Sequence, residues 1–187
     1  MNKLFLLPLT FLAFAIAVEA NTASTADSNG DGEWRLDNYS GFPTDTMASV
    51  NGNAVYGDRL RVKFSKGRCE KGYLFTTIYT YKNHPDLLKL KNQSIRTQLN
   101  GVDFSSAYIA QVIKPPKATG HSATIVIGAL PKEGLIVVVA ASNPFTIEYL
   151  DSEKFKASDY FDVLENSWNS KNARIAIEQA YNACKLL

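Results

Sequence analysis

The sequence predicts a mainly β protein, an antiparallel β-sandwich or strongly curved sheet with a C-terminal α-helix tied on by a disulfide. Three observations point there. The middle of the chain alternates apolar and polar residues with a period of two, between clusters of turn-forming residues. The last segment changes to helical spacing. Two cysteines, Cys69 and Cys184, stand far apart, one in a turn-rich connection and one in that terminal segment.

Residues 1–20 read as a signal peptide: Lys3, an uncharged and mostly apolar run over 4–18, then small residues at Val18 and Ala20 that place the mature start at Asn21. As a helix that run is about 22 Å long, short of the roughly 30 Å of a bilayer core. The residue directly after the cleavage point is Asn21, not cysteine, so no lipid anchor and no stable membrane insertion after cleavage are expected. Residues 21–32 have no apolar periodicity and read as a flexible linker. Residues 33–187 are expected to form a single β-rich domain, long enough for a sizeable core.

Trp34, Leu36 and Tyr39 open that domain as a strand-like segment. Leu60, Val62 and Phe64 alternate on one face, with Arg59, Arg61 and Lys63 on the other. The stretch 65–72 is a turn-rich connection, and 73–81 is a β-branched and aromatic run, so the two strands form a hairpin. A second hairpin is predicted around Asn100-Gly101, between Ile95, Thr97, Leu99 and Val102, Phe104, because this dipeptide supplies the two positive φ angles of a tight turn. Residues 102–114 read as one long strand ended by Pro115-Pro116. Residues 123–130 and 135–141 read as a third strand pair, the second strand apolar on both faces and therefore central. Residues 145–150 add a strand. Ala173, Ile177, Ala180, Cys184 and Leu187 recur at helical spacing, with Asn169 or Ser170 as the cap and Cys184 on the buried face.

The signal peptide implies an oxidising compartment, periplasmic or secreted, where two cysteines pair. A Cys69–Cys184 bond closes a loop for which chain entropy gives about 4–5 kcal/mol, and it removes both thiols from catalysis or metal binding. The formal net charge of +2 is too small to indicate nucleic acid as a partner. Asn38 and Asn92 stand in glycosylation acceptor triplets.

Asp27, Asn29, Asp31 and Gly32 match the first half of an EF-hand loop, but position twelve is Asn38 rather than a bidentate carboxylate, and flanking helices are not expected. The segment reads as polar linker. His84-Pro85-Asp86 matches the J-domain tripeptide but follows a strand and reads as a turn. His121 precedes Ser122, and with no Gly-x-Ser-x-Gly elbow it reads as a loop residue after Gly120. No phosphate-cradling loop and no metal-ligand spacing occur, so no cofactor is expected.

Two surface candidates remain. Arg59, Arg61 and Lys63, extended through the turn by Lys66, Arg68 and Lys71, form a solvated, edge-protecting face or, alternatively, a docking patch for an acidic protein or anionic envelope polymer. Tyr73, Phe75, Tyr79 and Tyr81 share the face opposite Leu74 and Ile78. They are expected in the core or under a helix; exposed, they would mark a sugar or protein site.

Glu33-Trp34-Arg35-Leu36, Leu60-Arg61-Val62-Lys63 running towards Cys69, and Ala180-Tyr181-Asn182-Ala183-Cys184 resemble the small periplasmic proteins of the invasion-associated locus B kind and the accessory proteins found with type VI secretion genes. The resemblance spans most of the mature chain, and it implies a β-sandwich without enzymatic activity. The leading expectation is a non-enzymatic, periplasmic or secreted module that binds a protein partner, of secretion-accessory, immunity or inhibitor type. The alternatives are an envelope glycan-binding protein using the tyrosine strip, and a hydrolase using His121.

Overall fold

A computed structural model describes residues 32–37, 44–53, 58–104 and 107–187. Among these residues ten strands form two antiparallel sheets. The larger has six strands: β1 (Arg35–Asp37), β2 (Asp45–Asn51), β3 (Arg59–Ser65), β4 (Lys71–Thr80), β8 (His121–Pro131) and β7 (Tyr108–Ile113), in that spatial order. The smaller has four: β10 (Glu165–Trp168), β9 (Phe145–Leu150), β5 (Arg96–Leu99) and β6 (Val102–Phe104). Helices α1 (Lys132–Ala140), α2 (Ala157–Tyr160) and α3 (Ala173–Leu186) complete the described chain.

The two sheets and the helices share one core. Leu60, Val62 and Phe64 of β3 are fully buried, as their alternation predicts. Antiparallel register then fixes β4: Leu60 faces Thr76 and Val62 faces Leu74, so Leu74, Thr76 and Ile78 point inward. Helix α3 lies under β1, β2 and β3, and Thr46 Oγ1 donates to the Ala180 carbonyl at 2.7 Å. Under β4 and β8 sits the small sheet, whose Phe145, Ile147, Tyr149 and Trp168 are buried. Cys69 and Cys184 form the disulfide that bolts α3 to the β3–β4 turn.

The Asn100-Gly101 hairpin joins β5 to β6, with φ of 49° and 77° at the two turn residues. Residues 102–114 are two strands rather than one, with β6 in the small sheet and β7 in the large one. The run 135–141 is not a strand. Pro131 closes β8 and stands at the helix N-cap position with φ −54°, and α1 follows at once. Its buried Leu135, Ile136 and Val139 lie on one helical face against α3, β8 and β4, while Val137 is exposed. A short, wholly apolar run has no periodicity to separate helix from strand, and the proline decides it. The partner of β8 is accordingly β4 on one side and β7 on the other.

Helix α3 begins later than expected. Asn172, in the left-handed region at φ 65°, precedes Ala173, and neither Asn169 nor Ser170 is the cap. Asn169 instead accepts a hydrogen bond from the Lys171 N–H at 2.9 Å, which tightens the turn before the helix. His84-Pro85-Asp86 leads into a short 3₁₀ turn, Leu87–Lys89, with the His84 ring 4.4 Å from that of Tyr160. The signal peptide lies outside the described residues, as do Asp27, Asn29, Asp31 and Asn38 of the calcium-like loop. Among the described residues no helix is long and apolar enough to cross a membrane.

Candidate functional site

The outward face of the large sheet carries the site. Side chains alternate across the pleat, so the inward set of β3 and β4 leaves Arg59, Arg61, Lys63, Tyr73, Phe75, Thr77 and Tyr79 outward. Register extends these into rows across the strands. Ser49, Arg61, Phe75, Val126 and Tyr108 form one row, and Asn51, Arg59, Thr77, Thr124 and Gln111 the next. Register shifts at Leu74/Phe75 and Ile109/Gln111 interrupt the pleat, and such bulges bend strands.

A groove runs along this face as two adjoining depressions of about 470 Å³ and 350 Å³, which share Lys63, Phe75 and Thr124. Strands β4 and β8 supply the floor. One wall is cationic, with Arg61 and Lys63 on β3 and Arg68 in the following turn. The other is uncharged, with Tyr108, Gln111 and Ile113 on β7 and Pro115 beyond it. Lys63 pairs with Asp45 at 3.3 Å. Arg61 donates to the Thr77 hydroxyl, and its guanidinium lies 5.8 Å from the centre of the Phe75 ring. Tyr73, Tyr79 and Tyr108 each keep between 37% and 38% of their surface in solvent, and Ile113 keeps 48%.

The tyrosine strip is therefore neither core nor helix-covered. Parity on β4 is set by its pairing with β3, which sends Leu74, Thr76 and Ile78 inside and leaves the aromatics outward. Thr76 is tolerated there because its hydroxyl bonds that of Tyr149. Six of the sequence candidates meet in the groove: Arg61, Lys63, Arg68, Tyr73, Phe75 and Tyr79. Arg59 shares the face but is held by Asn51 at 3.0 Å, and it lines neither depression. Lys66, exposed in the turn, and Tyr81, 73% exposed past the end of β4, also lie outside. Sequence reasoning missed Tyr108, Ile113, Pro115 and Thr124. Tyr108, Ile113 and Thr124 face outward on β7 and β8 and Pro115 follows β7, but nothing local shows that these strands lie beside β4.

His121 opens β8 rather than lying in a loop, and it is buried with Nδ1 unpartnered. It faces inward beside Thr80, while Ser122 faces the groove, so the two do not form a base–nucleophile pair. Among the described residues no group of three or more His, Cys, Asp or Glu side chains is arranged to hold a metal.

Beneath the groove, Asp58 ties the two sheets together. It accepts from the Tyr79 N–H at 2.9 Å and from the Asn166 side-chain amide at 3.0 Å. Burial raises its carboxyl to about 6, against the downward pull of these two hydrogen bonds. Burial likewise pushes the Tyr149 phenol up. Since folding raises the Asp58 pKa above its ordinary 3.8, the protonated form stabilises the fold. That contribution is complete below about pH 3.8 and is lost as pH rises through about 6. Asp58→Asn is expected to gain about 2–3 kcal/mol relative to wild type between pH 4 and pH 7.5. Urea denaturation at both pH values checks this; a gap independent of pH would show that Asp58 is ionised in the fold at both.

No family model, no curated protein and no solved structure matches this chain.

Proposed function

We propose that this chain is a non-enzymatic binding module of the periplasm or secreted space, of the secretion-accessory, immunity or inhibitor kind, and that it takes a partner protein in the groove of its large sheet. The observation that carries the reading is the uncovered aromatic and cationic face. A folded domain gains about 25 cal/mol for each Å² of apolar surface it buries, yet no described element lies over Phe75, Tyr79 and Ile113, whose own sheet is fully covered on its other side. Aromatic and arginine side chains at the centre of a concave patch are the composition of binding hot spots. The disulfide supports the compartment. So does the resemblance of three short motifs to those of the invasion-associated locus B and type VI accessory proteins.

An envelope glycan is the second reading, favoured by the half-exposed rings of Tyr73 and Tyr79 beside the hydroxyls of Thr77 and Thr124. The two readings separate by photo-crosslinking. With benzoylphenylalanine in place of Tyr79, irradiation in the native compartment is expected to give a discrete, protease-sensitive adduct. The same group at Ile175, exposed on α3, is expected to give none. A protease-resistant, glycosidase-sensitive adduct would establish the glycan, and equal labelling from both positions would reject the groove.

A further inference from the structure

We infer that the occupant of the groove is an amphipathic, acidic α-helix of the partner protein; this rests on the protein-binding reading above. The dimensions come first. From Tyr73 to Tyr79 the floor runs six residues along β4, about 20 Å at 3.3 Å per residue. Between the walls, β3 and β7, lie three strand spacings, about 14 Å in all. An α-helix is about 10–12 Å across, and about 13–15 residues of it cover such a length.

Backbone chemistry favours a helix over an extended segment. The N–H and C=O groups of β3, β4, β8 and β7 are committed to one another across the ladder. A strand laid flat on that face would lose water from its own backbone without finding partners, whereas a helix satisfies its backbone internally.

Charge fixes the ligand's sign and its stripe. The groove holds three cations, Arg61, Lys63 and Arg68, and one carboxylate, Asp45, already on Lys63. Arg61 and Lys63 are alternate residues of one strand, about 6.6 Å apart along it. Carboxylates at i and i+4 of a helix are separated by about 6 Å of rise, so one acidic stripe meets both cations. The facing wall asks for the opposite chemistry: Ile113, Pro115 and Tyr108 offer apolar surface and no charge. An anionic polysaccharide complements the first wall and not the second. A helix with a Glu stripe beside a Leu stripe complements both.

The probe is a labelled 15-residue alanine-based peptide carrying Glu at every fourth position and an adjacent Leu stripe. Its controls are the same composition scrambled and an oligogalacturonate. Fluorescence anisotropy with the full chain is expected to show saturable binding of the striped peptide, with helicity rising on binding by circular dichroism. The scrambled peptide is expected to bind at least about ten-fold more weakly, as is the striped one to Arg61→Gln/Lys63→Gln or to Ile113→Asp. Asp45→Asn, which frees Lys63, is expected to tighten binding about two- to five-fold. Should the Arg61 variant fail to fold, Arg68→Glu in the exposed turn replaces it. Equal binding of striped and scrambled peptides, or displacement by oligogalacturonate, would overturn the helix. Absent peptide binding with a protein adduct still formed from position 79 would reject the helix and leave the protein-binding reading intact. Absence of both would reject the two together.

Discussion

Breaking the Cys69–Cys184 disulfide is expected to cost the fold about 4–5 kcal/mol, a large share of the 5–15 kcal/mol that holds a typical domain together. The bond joins positions 115 residues apart, and in the chain-entropy account a longer closed loop constrains the unfolded chain more. Nothing near it substitutes. Lys185 pairs with Glu70 at 2.9 Å across the same junction, but both side chains are open to water, where solvent screens such pairs and they add little. Guanidinium denaturation of the oxidised protein and of Cys69→Ala/Cys184→Ala reads the difference. Limited proteolysis of the variant is expected to cut first within α3, whose hold on the sheet then rests on its apolar face, the Thr46 bond and the exposed Lys185–Glu70 pair. A loss below about 1 kcal/mol would show that packing already fixes the helix without the tether.

Phe64→Ala is expected to destabilise by about 3–5 kcal/mol, the range for a fully buried aromatic. Phe64 has no solvent exposure, and its ring meets that of Tyr181 edge-on at 5.7 Å between centroids. On its other side it fills the space above Gly72, where an added Cβ would stand 2.6 Å from the Phe64 ring and 2.7 Å from Leu135. That tight fit predicts a coupling. Gly72→Ala alone overpacks and is expected to cost about 1–3 kcal/mol. In the Phe64→Leu background, the same change is expected to cost measurably less. Urea denaturation of the four proteins in the cycle checks this; strict additivity would mean that the backbone at Gly72 moves away instead of pressing on the ring.

The parts legible in the sequence were those with strict local grammar. Alternation through Leu60, Val62 and Phe64 set the inward face of β3, and Asn100-Gly101 set a hairpin. The even cysteine count in an oxidising compartment predicted the bond that ties the last helix down. What escaped was decided elsewhere in the chain. β2, with its sequence Asp-Thr-Met-Ala-Ser-Val-Asn, is buried over most of its length yet has no clear alternation, because its outward Met47, Ser49 and Asn51 are buried as well. Helix α1 looked like a strand because a run that is apolar on every side carries no phase, although only its Leu135, Ile136 and Val139 are buried. The aromatics of β4 are expected in the core or under a helix, whereas register with β3 commits the other face inward. Half the groove was readable, its β3 and β4 residues. The other half came from β7 and β8, whose place beside β4 follows from topology rather than from any local pattern.

The position of the disulfide also decides how the chain answers a mechanical pull. A load applied between the two ends of the chain reaches Cys69 and Cys184 and passes across the covalent bond. Everything between them, including β4, β8 and β7, is bypassed. Strands β1, β2 and β3 precede Cys69 and lie on the loaded path. They can unzip from one side while the floor and the uncharged wall of the groove stay folded. Under tension the protein would therefore part with its cationic wall first, before the rest of the domain yields.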